Sequence, residues 1–129
     1  MTSAPRFAWT HLGLVVLGGT VGTAARAGLL LIDAAPWPFV AVPLINVAGA
    51  FLLGIVIGHV SRGGETASGR AVRHFLGTGV LGGFTTYSTF ALLSVHGTPV
   101  WLTVATAVVG VVASLVGLRL GGLRRVVGR

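Results

Sequence analysis

The sequence predicts an all-α integral membrane protein of four transmembrane helices with a Gly-rich break in the third, and three observations predict it. Hydrophobic residues make up 53% of the 129 and charged residues only 9%, with a mean hydropathy of +0.93, whereas soluble domains carry roughly a quarter charged residues. Four apolar runs reach the length of about 20 residues that a helix needs to cross a hydrocarbon core of about 30 Å. The nine basic residues are all Arg and flank those runs, as membrane topology requires.

The runs fall at about 11–32, 39–60, 72–95 and 98–120, within one membrane domain covering 1–129. Arg6 before the first run resembles the start of a signal peptide, but three further runs follow and no small-residue cleavage site precedes a polar domain. Between the first two runs, Asp33 to Pro38 (DAAPWP) is a short connection in which two prolines stop helix propagation and Trp37 suits the membrane interface. Ser61 to Arg70 (SRGGETASGR) is the longest polar stretch. Thr98 and Pro99 then suit a helix cap and first turn for the last run.

Four spans place both termini and the middle loop on one side. Arg6, Arg62, Arg70, Arg73, Arg119, Arg124, Arg125 and Arg129 fall there, and Arg26 alone lies toward the other. The positive-inside rule makes that side cytoplasmic, which predicts a multi-pass protein of the inner (plasma) membrane. The net charge of +7 is therefore an orientation signal, and it lacks the basic stripe with interleaved aromatics that nucleic-acid binding needs. The chain has no Cys, and its only acids are Asp33 and Glu65, both in loops. No paired carboxylates or Ser-His-acid set is available, so no enzyme is predicted. His11, His59, His74 and His96 lie near span ends without metal-site spacing.

Gly77 to Phe90 (GTGVLGGFTTYSTF) concentrates glycines and hydroxyls in a segment that must cross lipid. Gly82-Gly83 permits a helix break whose freed carbonyls need partners in protein, water or a hard monovalent cation; the alternative is close helix packing through small residues. Tyr87 and Phe90, three apart with Ser88 and Thr89 beside them, offer positive ring edges and hydroxyl donors to a dehydrated small anion, or else pack ordinarily. Asn46, inside PLINVAGAFLLG, either lines an anion path or makes an interhelical hydrogen bond. Arg26 sits about six residues, roughly 9 Å, inside the first span. It draws anions into a vestibule, snorkels to the interface, or pairs with Asp33.

GGTVGTAAR (18–26), PLINVAGAFLLG (43–54) and GTGVLGGFTTYSTF (77–90) together resemble, in order and across the whole chain, the Fluc (CrcB) family of fluoride channels. The resemblance implies an antiparallel, dual-topology type dimer with two pores that export fluoride passively, reducing cytoplasmic fluoride toxicity. It also implies a structural, untransported sodium ion at the dimer interface. Carried over by motif, Gly82 and Thr85 supply backbone carbonyls to sodium, Asn46 is the pore asparagine, Tyr87 and Phe90 form the aromatic box, and Ser88 and Thr89 form the hydroxyl track. Arg26 matches the first-helix arginine. The departure is Tyr87, where the family usually has Phe.

The arginine imbalance predicts one-way insertion, which favours a heterodimer with a related, oppositely oriented subunit over a homodimer, this chain being conducting or non-conducting within it. A small multidrug-type exporter is the remaining rival. Proton-coupled cation export calls for an intramembrane carboxylate, which neither Asp33 nor Glu65 provides.

Overall fold

The computed structural model describes residues 9–32, 37–64, 66–95, 97 and 99–123, with backbone alone at 37, 38, 89, 90, 93, 94 and 123. Expectations resting on Asp33, Glu65, His96 and Thr98 lie outside the described residues.

Three long helices are unbroken: α1 (Trp9–Leu30), α2 (Trp37–Ser61) and, last in the chain, α6 (Val100–Leu123). Each is long and apolar enough to cross a membrane. Between α2 and α6 the chain makes a composite helix. It begins as α3 (Ala67–Val72), capped by Thr66, whose side chain accepts the Gly69 amide, one of the donors a helix start leaves unpaired. It widens into a π-helical segment, Arg73–Leu81, and tightens again as α4 (Gly82–Phe84). After three residues outside the helix, α5 (Ser88–Val95) completes it. The glycine pair is itself helical, with Gly82 at φ −64° and ψ −38°. The break lies just beyond it, where Thr85 turns to φ −75° and ψ 155°.

Lipid tails are as apolar as leucine, so helices associate in a membrane through close packing rather than exclusion of water. Two glycine seams serve that purpose. On the first, a Cβ at Gly18 would run into the Phe75 carbonyl and one at Gly22 into the Val80 carbonyl, while Gly83 lies against the Gly19 carbonyl. This seam binds α1 to the π segment and α4. On the second, Gly54 and Gly58 of α2 meet the Ser114 and Leu118 carbonyls, and Gly117 and Gly121 of α6 meet those of Phe51 and Ile55. The packing reading of the glycines therefore holds at Gly83, whereas Gly82 faces open space, its built Cβ meeting only the Gly77 carbonyl at 4.0 Å.

Among the described residues, Ala41, Val42, Ile45 and Leu81 form the buried apolar core. Outward faces are apolar too: Val16, Leu17 and Val21 on α1 and Val104, Val108, Val112 and Leu115 on α6 are exposed. In water such faces would be an aggregation liability; in a bilayer they match the solvent.

Candidate functional site at the helix break

A break in a membrane helix strands backbone groups that lipid cannot satisfy. Asn46, on α2, answers two of them at once. Its Nδ2 donates to the Thr86 carbonyl at 3.0 Å, and the Thr86 amide donates to Asn46 Oδ1 at 2.8 Å. The side-chain amide thus pairs with the N–H and C=O of one residue, as a facing residue does in a hydrogen-bonded pair of an antiparallel β ladder. Thr85 closes the preceding turn, its amide and its Oγ1 both donating to the Leu81 carbonyl at 3.0 Å. Thr23 Oγ1 of α1 reaches the Gly83 carbonyl at 3.4 Å. Beyond the break, the Ala91 amide bonds the Tyr87 carbonyl at 2.8 Å and the helix resumes.

The Gly82 carbonyl is treated differently. In a continuous α-helix it would accept from the Thr86 amide, four residues on, but that amide is held by Asn46. Gly82 O has no hydrogen-bond partner among the described residues, and Gly82 lines a cavity of about 520 Å³ together with Gly77, Thr78, Thr85 and Arg73.

A second cavity, of about 480 Å³, lies on the α6 side of the break. Asn46, Thr85, Thr86 and Tyr87 line it from one wall and Thr103, Thr106 and Ser114 from the other. The α6 hydroxyls were not singled out from sequence, although their spacing of three and then eight residues repeats on one helical face. Thr106 Oγ1 donates to the Leu102 carbonyl and Ser114 Oγ to that of Val111, both at 2.8 Å. Such back-bonding is the usual arrangement in a helix and conceals these residues among apolar neighbours.

Of the residues predicted for the site, the structure gathers Asn46, Thr85 and Tyr87 around one cavity and Gly82 and Thr85 around the other. Ser88 Oγ lies 3.3 Å from Thr86 Oγ1 and shares a hydrogen bond with it. Tyr87 is 82% exposed, so its ring does not pack within this chain. Thr89 and Phe90 are on the backbone of α5, and their side chains lie outside the description. Arg26 is half-buried on α1 without a hydrogen-bond or ion-pair partner among the described residues. His11 and His74 stack, ring centroids 4.6 Å apart, across the α1 and π-segment ends. Both carboxylates lie outside the described residues, so neither cavity has an acidic lining residue among them; the polar lining of the 480 Å³ cavity is neutral amide, hydroxyl and carbonyl, while the 520 Å³ cavity also has the Arg73 guanidinium in its wall.

Comparison with known proteins bears directly on this arrangement. The family described as "CrcB-like protein, Camphor Resistance (CrcB)" matches residues 13–122. Fluoride-specific ion channel FluC 2 of Leifsonia xyli subsp. xyli is 45% identical, covering 87% of this chain and 86% of its own. Fluoride-specific ion channel FluC of Novosphingobium aromaticivorans is 40% identical, covering 87% and 93%. Fluoride-specific ion channel FluC 1 of Rhodococcus jostii is 41% identical, covering 88% and 87%.

Proposed function

The chain belongs to the CrcB family, and on that premise we propose that it is a subunit of a fluoride-specific channel through which the anion leaves the cell passively, lowering cytoplasmic fluoride. The single observation that carries this reading beyond the relatives' names is the cavity at the helix break, lined by an amide and several hydroxyls. A small, strongly hydrated anion gives up water only to donors that replace it, and conducts only if none holds it too tightly. Neutral N–H and O–H groups meet both conditions; a full positive charge at the constriction would not.

In this reading Asn46, Tyr87, Ser88, Thr89 and Phe90 line the fluoride path, Thr103, Thr106 and Ser114 face them from α6, and Arg26 draws the anion into a vestibule. Asn46 spends one amide hydrogen on Thr86 and keeps a second for the path. The Gly82 and Thr85 carbonyls take a structural sodium ion. The donor set fits, since a hard cation prefers oxygen ligands and the Gly82 carbonyl is an orphaned dipole beside a cavity. A bound sodium would supply fixed positive charge to these dipoles.

Two oppositely oriented subunits complete the channel. The arginine bias supports one-way insertion of this chain with cytoplasmic termini, and pairing with a related subunit of opposite bias.

The test is reconstitution in liposomes, alone and with a candidate partner, following fluoride efflux by ion-selective electrode against a chloride control. Fluoride-selective efflux from the chain alone establishes a self-sufficient channel and removes the need for a partner. Efflux only with the partner establishes the heterodimer. Folded protein that passes no fluoride under either condition overturns the conducting role and leaves a structural subunit.

A further inference from the structure

We infer that Asn46 is a positioning residue for the cation site: by capturing the Thr86 amide it prevents the third helix from rewinding across the break, and so holds the Gly82 carbonyl unpaired and available to an ion. This rests on the proposed sodium reading. The two groups belong to different helices, and the connection between them is a competition for one proton donor. The Thr86 amide has two acceptors within its conformational reach: Gly82 O if the helix continues, and Asn46 Oδ1 if it breaks. In the structure it takes Asn46 Oδ1 at 2.8 Å, while the returning bond from Nδ2 to Thr86 O at 3.0 Å fixes the side chain in the plane that allows the first. Thr85, extended at ψ 155°, is the backbone consequence. Asn46 also lines the cavity on the α6 side, so one side chain faces the anion path while its carbonyl oxygen sets the geometry of the cation site behind it.

Asn46→Leu and Asn46→Asp separate these roles. Both match the size of Asn, but Leu offers no acceptor, whereas Asp keeps an oxygen for the Thr86 amide whether or not it is protonated. Fluoride efflux suffers in both variants and does not discriminate. The readouts are the carbon-13 carbonyl shift of Gly82 in lipid bilayers, which reports whether that oxygen accepts a hydrogen bond, and protection against thermal unfolding by sodium relative to N-methylglucamine. Expected results are a Gly82 shift that moves to the helical value in Asn46→Leu and stays put in Asn46→Asp, with sodium protection lost in the first and kept in the second. Asn46→Ala, a smaller lesion that likewise offers no acceptor, replaces Asn46→Leu if that variant does not fold. An unchanged Gly82 shift in Asn46→Leu overturns the positioning role. A moved shift in a protein whose wild type gains no protection from sodium upholds control of the break and overturns the cation reading alone.

Discussion

Gly83→Ala tests the seam that holds the break against α1. A Cβ at Gly83 would stand 2.5 Å from the Gly19 carbonyl oxygen and 3.0 Å from Thr23 Oγ1. Carbon and oxygen settle at about 3.3–3.6 Å even where the contact is weakly attractive, so α1 must retreat by about 1 Å. The obstacle is backbone and cannot rotate away, and the Thr23 to Gly83 hydrogen bond, already 3.4 Å long, is lost with the retreat. Overpacking of this kind costs about 1–3 kcal/mol. Alanine also favours a helix over glycine by up to about 1 kcal/mol, which would blur a single measurement. Gly28→Ala removes the ambiguity, because Gly28 is equally helical but has nothing within 4 Å of its built Cβ. The propensity gain is common to both, so the two variants should differ by the overpacking cost alone, about 1–3 kcal/mol. Sodium dodecyl sulfate titration in mixed micelles, followed by tryptophan fluorescence, measures that difference, and fluoride efflux should fall for Gly83→Ala only. Equal midpoints for the two variants would refute the seam as described.

Three further expectations are simpler. Thr85→Val deletes the bond from Oγ1 to the Leu81 carbonyl but leaves the Thr85 carbonyl, so stability should drop by about 0.5–1.5 kcal/mol while sodium protection persists; loss of protection would assign the hydroxyl to the ion. Tyr87→Phe removes a phenol from an 82% exposed side chain, and monomer stability, by the same titration, should change by no more than about 0.5 kcal/mol, with fluoride efflux retained; abolished efflux would make the hydroxyl part of the path. Because the chain has no Cys, Ser68→Cys and Val100→Cys report orientation: an impermeant maleimide outside cells should label only the second, and labelling of both would overturn one-way insertion.

The four apolar runs, the interruption of the third and the importance of Asn46 were legible because each is a local violation or satisfaction of what lipid demands. What stayed hidden depends on relations between segments. Asn46 was expected either to line a path or to bond another helix; its two Thr86 bonds and its place in the cavity wall make these compatible. The break was placed by its glycines, yet Gly82–Phe84 is helical, since glycine permits a break without requiring one and the pairing with Asn46 decides where it falls. The π-helical widening over Arg73–Leu81 has no proline or comparable local mark. Thr103, Thr106 and Ser114 look like ordinary back-bonding hydroxyls until the fold sets them opposite Asn46.

The chemistry required at position 46 is narrow, and Asn46→Gln shows how narrow. A side chain that pairs with the N–H and C=O of one residue must be planar and carry a donor and an acceptor side by side. Serine and threonine have only one polar atom, and a charged carboxylate keeps the acceptor for the Thr86 amide but has no donor for the Thr86 carbonyl and is expensive within the bilayer. Glutamine has the same amide and nearly the same polarity, but an extra methylene carries that amide about 1.5 Å farther from α2. Two bonds of 2.8 and 3.0 Å cannot both survive such a displacement unless the side chain buckles into the cavity wall. An unpaired buried backbone group costs about 1–3 kcal/mol, so Asn46→Gln should lose that much stability in the same detergent titration, with efflux falling alongside. A glutamine variant as stable and as conductive as the wild type would mean that the break is held by its own backbone, and that Asn46 only follows it.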